Sequence, residues 1–249
     1  MDAELIAALV AAAAAAGFVD AIAGGGGLIT LPVLMLAGLS PEQALATNKV
    51  QGSFGAATAA FSYARSGLVD LRAQLPTAAL AFAAGVAGAL LVAALPTQAL
   101  RVVLPVVLIG IALFFALKPG LNDLDRTARL TPAVFALTAV PAIGFYDGLI
   151  GPGAGAFYML SFVTLAGFGI LKATAHTKLL NFASNIGGLT AFALTGHPLW
   201  MLGLLMGVGQ IAGAWVGSRL AMRIGAKVIK PLLVVTSTAL ALRLLWQML

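Results

Sequence analysis

Charge is what this sequence has least of. Its 249 residues include 14 Lys or Arg and 8 Asp or Glu, 9% of the chain, against about 25% in an ordinary soluble domain. So few charges cannot cover a water-facing globule of this size, which excludes a soluble enzyme. Cysteine is absent altogether, and with it disulfides, thiolate metal sites and cysteine nucleophiles. There is no room for a soluble domain either, since the longest polar connection runs from Lys118 to Arg129. A basic aromatic patch is also missing. The net charge of +6 therefore points to basic residues at helix ends and not to nucleic acid. Asp2 and Glu4 open the chain where a signal peptide would be positive, so the first stretch reads as a membrane helix kept in the mature protein.

What the chain has instead is apolar sequence in long runs. Hydrophobic residues make up 61% and the mean hydropathy is +1.05. Residues 73–100, 102–117, 130–146, 148–171 and 179–218 carry no Asp, Glu, Lys or Arg. A spanning helix needs about 20 apolar residues, so the last run holds two spans divided at Thr195-Gly196-His197-Pro198. Barrel strands would alternate polar and apolar residues over about 10 positions, which these runs do not. The expectation is an all-α, polytopic integral membrane protein without cofactor or metal.

The sequence is also written twice. Gly17-Phe18-Val19-Asp20 returns as Gly144-Phe145-Tyr146-Asp147. Both copies run into glycine-rich breaks, Gly24 to Gly27 and Gly151-Pro152-Gly153-Ala154-Gly155. Asn48-Lys49-Val50 then lines up with Thr177-Lys178-Leu179, Gly88 with Gly217, and Arg101 with Lys230. Two halves with matched breaks are the mark of a secondary transporter. The division is 1–118 as the first transmembrane repeat, 119–129 as a cytoplasmic linker and 130–249 as the second repeat, all within one structural domain.

Each half reads alike. A helix (about 4–22, then 131–150) reaches the break, and a short apolar segment follows (28–38, then 156–168). A long lysine-bearing helix comes next (41–64, then 170–194), and two helices close each half (74–95 and 98–117, then 199–221 and 227–247). That gives eight full helices, or up to ten transmembrane segments with the broken ones. Ser40-Pro41-Glu42-Gln43 is a capping box with proline at the first helical position, and Thr131-Pro132 repeats the proline signal.

Basic residues near helix ends set the orientation. Arg219, Arg223, Lys227 and Lys230 mark one cytoplasmic loop, which puts His197 outside. Arg65/Arg72 and Lys118/Arg126/Arg129 are the basic loops of the first half, and their second-half equivalents are poor in basic residues. The pattern flips between halves, as inverted repeats require. Both termini then lie outside the inner membrane, and each glycine-broken segment returns to its own side as a hairpin or re-entrant pair.

Four charges remain inside the spans. Lys49 and Lys178 each lie about 12 Å into their helices at 1.5 Å per residue, too deep to reach water easily. Either they pair with Asp20 and Asp147, or they supply charge for an anionic substrate. Lys178, Asn181 and Asn185 share one helix face; Asn48 and Gln51 stand three apart. The residues after each break, Gly25, Gly26 and Gly27 and then Gly153 and Gly155, would start new helices whose free N–H groups favour anions. Asp20 and Asp147 could carry a coupling proton, pair with the lysines or cap those N–H groups. His176 reads as structural, and Gly209, Gly213 and Gly217 as a packing ridge. An intramembrane protease does not fit, because no Gly-x-Gly-Asp partner and no serine–histidine motif is present.

Gly17-Phe18-Val19-Asp20 with Gly24 to Gly27, Ala46-Thr47-Asn48-Lys49, and their second-half copies through Lys178 and Asn181 resemble the sulfite exporter TauE/SafE family of membrane transporters. The resemblance covers nearly the whole chain. It implies an inner-membrane permease for sulfite, sulfoacetate or another sulfur-containing anion. The second half departs from the first in Pro152 and in Thr177, which stands where the first half has Asn48. The expected function is alternating-access transport of a small anion, with Lys49, Lys178, Asn48, Gln51, Thr177, Asn181 and Asn185 around it. Its partners are that anion and the lipid bilayer, with homo-oligomerisation left open. A channel-like anion uniporter and a cation or metal carrier using Asp20 and Asp147 are the alternatives.

Overall fold

A computed structural model of the chain describes residues 2–95, 98, 124–195, 198–225, 227, 231 and 232. Among these residues there are nine helices and no strand. They are α1 (Ala3–Ala23), α2 (Gly26–Leu36), α3 (Pro41–Arg65), α4 (Leu71–Ala93) and α5 (Pro132–Leu137), followed by α6 (Ala139–Leu149), α7 (Ala154–Thr164), α8 (Ile170–Thr195) and α9 (Trp200–Ile224). Among the described residues four stretches are long and apolar enough to cross a membrane: α1, α4, α5 with α6, and α9. The chain is thus an all-α polytopic membrane protein. The expected helices 98–117 and 227–247, apart from residues 98, 227, 231 and 232, lie outside the described residues, as do Arg101, His197 and Lys230.

Local chemistry sets the ends. Ser40 caps α3 in a complete capping box with Gln43, ahead of Pro41 at the first helical position, and the Thr131 hydroxyl caps α5 by accepting from Val134 N–H. The sequence predicts one helix over 131–150, yet the chain divides at Thr138. Pro141 explains the break. It has no N–H for the carbonyl four residues back, that of Leu137, and its ring crowds that same carbonyl.

Both glycine breaks make hairpins. Beyond Gly24 and Gly25 the chain folds back, so that Gly26 lies against Ala16 and Asp20. Leu31 and Leu34 then share an apolar cluster with Leu9 and Ala13. In the second half the Tyr146 hydroxyl donates to Pro152 O at 2.6 Å, and the Tyr158 hydroxyl to Val140 O at 3.3 Å. At 11 residues each, α2 and α7 extend about 16 Å, roughly half the 30 Å hydrocarbon layer.

The halves exchange partners. A Cβ on Gly209, Gly213 or Gly217 of α9 would lie 2.4, 1.9 or 2.5 Å from the carbonyl oxygens of Val10, Ala14 and Phe18 of α1. Such a ridge lets two backbones touch. The matched contact joins α4 to α6, where a Cβ on Gly88 would lie 2.1 Å from Phe145 O. Equivalent helices α3 and α8 cross antiparallel: Lys49 lies by Gly188, and Gly52, three residues on, by Asn185, three residues back. Outward-facing side chains are largely apolar, among them Phe61, Leu137, Leu194, Met201 and Val208, as a lipid solvent requires. Arg65, over the Phe61 ring, ends α3, and Arg219 lies over the Trp215 ring in the C-terminal half of α9.

Candidate functional site

The two breaks meet in the interior. Gly24 ends α1 in the left-handed conformation, φ +79°, and its carbonyl accepts the Ala156 N–H of α7 at 2.8 Å. The starts of α2 and α7 therefore open onto one small cavity, with free space of about 30 Å³. A water needs about 10–15 Å³ of such space, so the room suits a few waters or one small ion. Backbone at Gly26, Gly27, Gly153 and Gly155 forms one wall. Asn48, Gln51, Asn181, Asn185 and Gln210 supply the amide side chains, and Asp20 and Asp147 the carboxylates.

The four charges at and behind the cavity wall form two pairs, each joining one half to the other. Lys49 bonds Asp147 Oδ1 at 2.5 Å and also the Asp147 carbonyl. Lys178 bonds the Asp20 carbonyl and stands 3.6 Å from Asp20 Oδ2. Both lysine side chains are 1% exposed and stand behind the carboxylates, not on the cavity wall. Taking an ammonium out of water is so costly that a partner carboxylate is needed, and the other half provides it.

The amides form an ordered chain. Gln210 Nε2 donates to Gln51 Oε1 at 2.5 Å. Gln51 Nε2 donates to Asn48 Oδ1 at 2.7 Å, and the Thr30 hydroxyl donates to the same oxygen at 2.5 Å. Across the cavity Asn185 Nδ2 donates to Asn181 Oδ1 at 3.1 Å. With its oxygen taken, Asn48 turns Nδ2 to the glycine wall, where a Cβ on Gly27 would lie 3.5 Å from it; Asn181, its oxygen also bonded, lines the cavity too. Three of the four carboxylate oxygens accept hydrogen bonds, and Asp20 Oδ2 stands 3.6 Å from Lys178 Nζ. Asp20 Oδ1 accepts Gly26 N–H at 3.2 Å, and Asp147 Oδ2 accepts from Ser184 and Asn185. Near the N-termini of α2 and α7, Gly27 and Gly155 have N–H groups with no acceptor inside their own helices. Donors thus reach the cavity from both breaks, beside the side chains of Asn185 and Gln210.

Some expected residues lie elsewhere. The Thr177 hydroxyl donates to Ala173 O within its own helix and is fully buried. Gly25 is off the cavity wall, with room for a Cβ 3.5 Å from Leu28. His176 packs on Phe162 and Phe168 and bonds Gln74. Sequence reasoning missed Gln210, which enters between Gly17 and Gly55; a Cβ on either would lie 2.7 or 2.4 Å from its Oε1. Its signal was a lone glutamine within the charge-free run 179–218.

The 124–130 segment clamps the loop after α7. Asp125 accepts Gly169 N–H at 2.6 Å and pairs with Lys172 at 3.0 Å, while Arg126 N–H donates to Gly167 O at 2.7 Å. The Gly169 N–H, then the Lys172 ammonium, hold the exposed Asp125 carboxyl below its ordinary range. A lowered carboxyl stabilises the fold above its unfolded pKa, and this is lost as pH falls through the folded value. Asp125→Asn is expected to lower the Tm by about 1–2 °C at neutral pH. The gap to the parent should close below the usual carboxylate range; a gap that persists in acid would mean that charge is not its source.

Paired helical hairpins around a polar cavity, inside a body of apolar helices, define a membrane transporter. The sequence model described as Sulfite exporter TauE/SafE matches residues 9–244, and the chain belongs to that family. It is similar to Probable membrane transporter protein ORF9 of Sinorhizobium sp, 59% identical over 97% of this chain and 93% of that one. Probable membrane transporter protein YfcA of Escherichia coli (strain K12) is 49% identical, over 93% of this chain and 86% of its own. A probable membrane transporter protein of Haemophilus influenzae is 39% identical over 98% and 95%. No solved structure matches the chain.

Proposed function

We propose that this transporter carries a small sulfur oxyanion, sulfite being the model substrate, across the inner membrane by alternating access of two inverted repeats. One observation carries the reading: hydrogen-bond donors from both halves converge on the cavity. Asn48 and Asn181 offer Nδ2, and Gly27 and Gly155 offer backbone N–H near helix N-termini, where the dipole adds about half a positive charge each. The two ion pairs cancel, so these partial charges set the sign of the site. An oxyanion has three or four acceptors and no need of a metal. The exchange of partners between halves and the antiparallel crossing of α3 and α8 support inversion.

A cation carrier has less support. Three of the four Asp20 and Asp147 carboxylate oxygens already accept protein donors and the fourth faces Lys178, and no cluster of three His, Cys, Asp or Glu occurs among the described residues. The test is flux in proteoliposomes. Saturable sulfite uptake above protein-free vesicles is expected, and repeating it with and without a pH gradient separates a proton-coupled carrier from a uniporter. Absence of saturable flux for both sulfite and sulfoacetate would sink the reading.

A further inference from the structure

The matched halves differ around their carboxylates. Asp147 accepts from three side chains, Lys49, Ser184 and Asn185, and is 1% exposed. Asp20 has one backbone amide, Gly26 at 3.2 Å, and Lys178 at 3.6 Å, and its side chain is 15% exposed. The difference is written in the sequence. With Asn48 aligned to Thr177, Ser184 and Asn185 fall opposite Gly55 and Ala56, neither of which has a polar side chain. The space at Gly55 is filled by Gln210, but that amide bonds Gln51, not Asp20.

We propose that the two ion pairs have different roles: Asp147–Lys49 is a fixed joint between the halves, and Asp20–Lys178 is a displaceable pair whose lysine contacts the transported anion. The inference rests on the substrate reading above and deepens it. Asp20 lines the cavity and holds two cationic or donor partners, the Lys178 ammonium and the Gly26 N–H at a helix N-terminus. Both bind an oxyanion as readily as a carboxylate. An anion entering the cavity thus competes with Asp20 for its partners. It cannot do so at Asp147, whose oxygens are held by three donors from α3 and α8. Lys178 is in this account a substrate-contacting residue, and Asp20 an internal competitor.

The test compares Asp20→Asn with Asp147→Asn in the purified full-length protein, by sulfite titration and thermal unfolding. Asp20→Asn removes the competitor and keeps Lys178, so sulfite is expected to bind about 10-fold more tightly. Lys178 also loses its charge partner, but that pair is looser, at 3.6 Å, and its carboxylate is 15% exposed. The Tm is therefore expected to fall by less than half as much as in Asp147→Asn, and bound sulfite to restore it. Asp147→Asn leaves Lys49 buried without its charge partner, and the Tm is expected to fall by about 10 °C with no gain in affinity. Should that variant not fold, Asp147→Asn combined with Lys49→Met removes both charges and is expected to recover much of the lost Tm. Equal Tm losses in the two single variants, or weaker sulfite binding in Asp20→Asn, would overturn the division of roles. No sulfite response in the parent would instead overturn the substrate reading, and the Tm comparison would still decide whether the pairs are unequal.

Discussion

Gly24→Ala is expected to cost the protein its fold, or to lower the Tm by about 10 °C or more. Two penalties meet at this residue. Its φ of +79° is a left-handed conformation, which costs a residue with a Cβ about 1–2 kcal/mol. The added Cβ would also lie 2.3 Å from Gly155 C and 2.4 Å from Ala156 N. Those are backbone atoms of the opposite hairpin, so no side chain can swing away. Relief requires the two hairpins to separate, which breaks the bond between Ala156 N–H and Gly24 O. Two neighbours serve as controls. Gly38 has φ +91° with nothing within 4 Å of a Cβ, so alanine there should cost the conformational penalty alone, a few degrees. Gly25→Ala should be near neutral, because its φ is negative and its Cβ would make an ordinary contact. Unfolding curves of the three variants in one detergent give the comparison. A Gly24→Ala protein as stable as Gly25→Ala would mean that the breaks do not touch in the folded state.

Much of this architecture was legible in the residues. The repeat Gly17-Phe18-Val19-Asp20 and Gly144-Phe145-Tyr146-Asp147, with a glycine break after each copy, located both hairpins. Ser40-Pro41 and Thr131-Pro132 fixed helix starts to the residue, because capping is local chemistry. Partnership was harder to read. Lysine depth could be counted along a helix, but which carboxylate each lysine meets depends on how α1, α3, α6 and α8 cross, and no spacing encodes that. The same holds for the donor sense of the cavity. An asparagine reads as donor and acceptor alike until Thr30, Gln51 and Asn185 claim its oxygen. Gln210 stayed hidden because it comes from a closing helix, between ridge glycines that announce packing. The break at Thr138 was written in Pro141, four residues after the carbonyl it disrupts, inside a stretch whose apolar length suggested one helix.

The contacts between halves explain why the breaks can sit inside the membrane at all. Backbone freed at a glycine break is tolerated in the hydrocarbon layer only where protein or a watery cavity satisfies it. Here Gly24 O finds Ala156 N–H, Pro152 O finds the Tyr146 hydroxyl and Gly26 N–H finds Asp20. The ridges at Gly217 on Phe18 and Gly88 on Phe145 clamp each hairpin's long helix to a helix of the other half. Each half lends a closing helix and a lysine, and takes the same in return.

That donor arrangement makes Asn181→Asp the sharpest probe of substrate charge. Aspartate has nearly the shape of asparagine, and Asn181 Oδ1 already acts as an acceptor, from Asn185 Nδ2 at 3.1 Å. The exchange keeps that bond and turns only the cavity-facing atom from a donor into a charged oxygen. Two like charges about 4 Å apart repel by about 4 kcal/mol at an effective dielectric constant of about 20. Each 1.4 kcal/mol is a factor of about 10, so sulfite flux should fall at least about 100-fold. Asn48→Asp should act in the same direction, since Asn48 Oδ1 is likewise held by Gln51 and Thr30. Size-exclusion profiles and unfolding curves close to those of the parent would show that the fold survives. A cation carrier responds with the opposite sign, because a third carboxylate in its cavity strengthens cation binding. Measured side by side in proteoliposomes, loss of sulfite flux without gain of cation flux fixes the charge of the substrate. Sulfite transport at parental rates in Asn181→Asp would mean that the anion travels by another route.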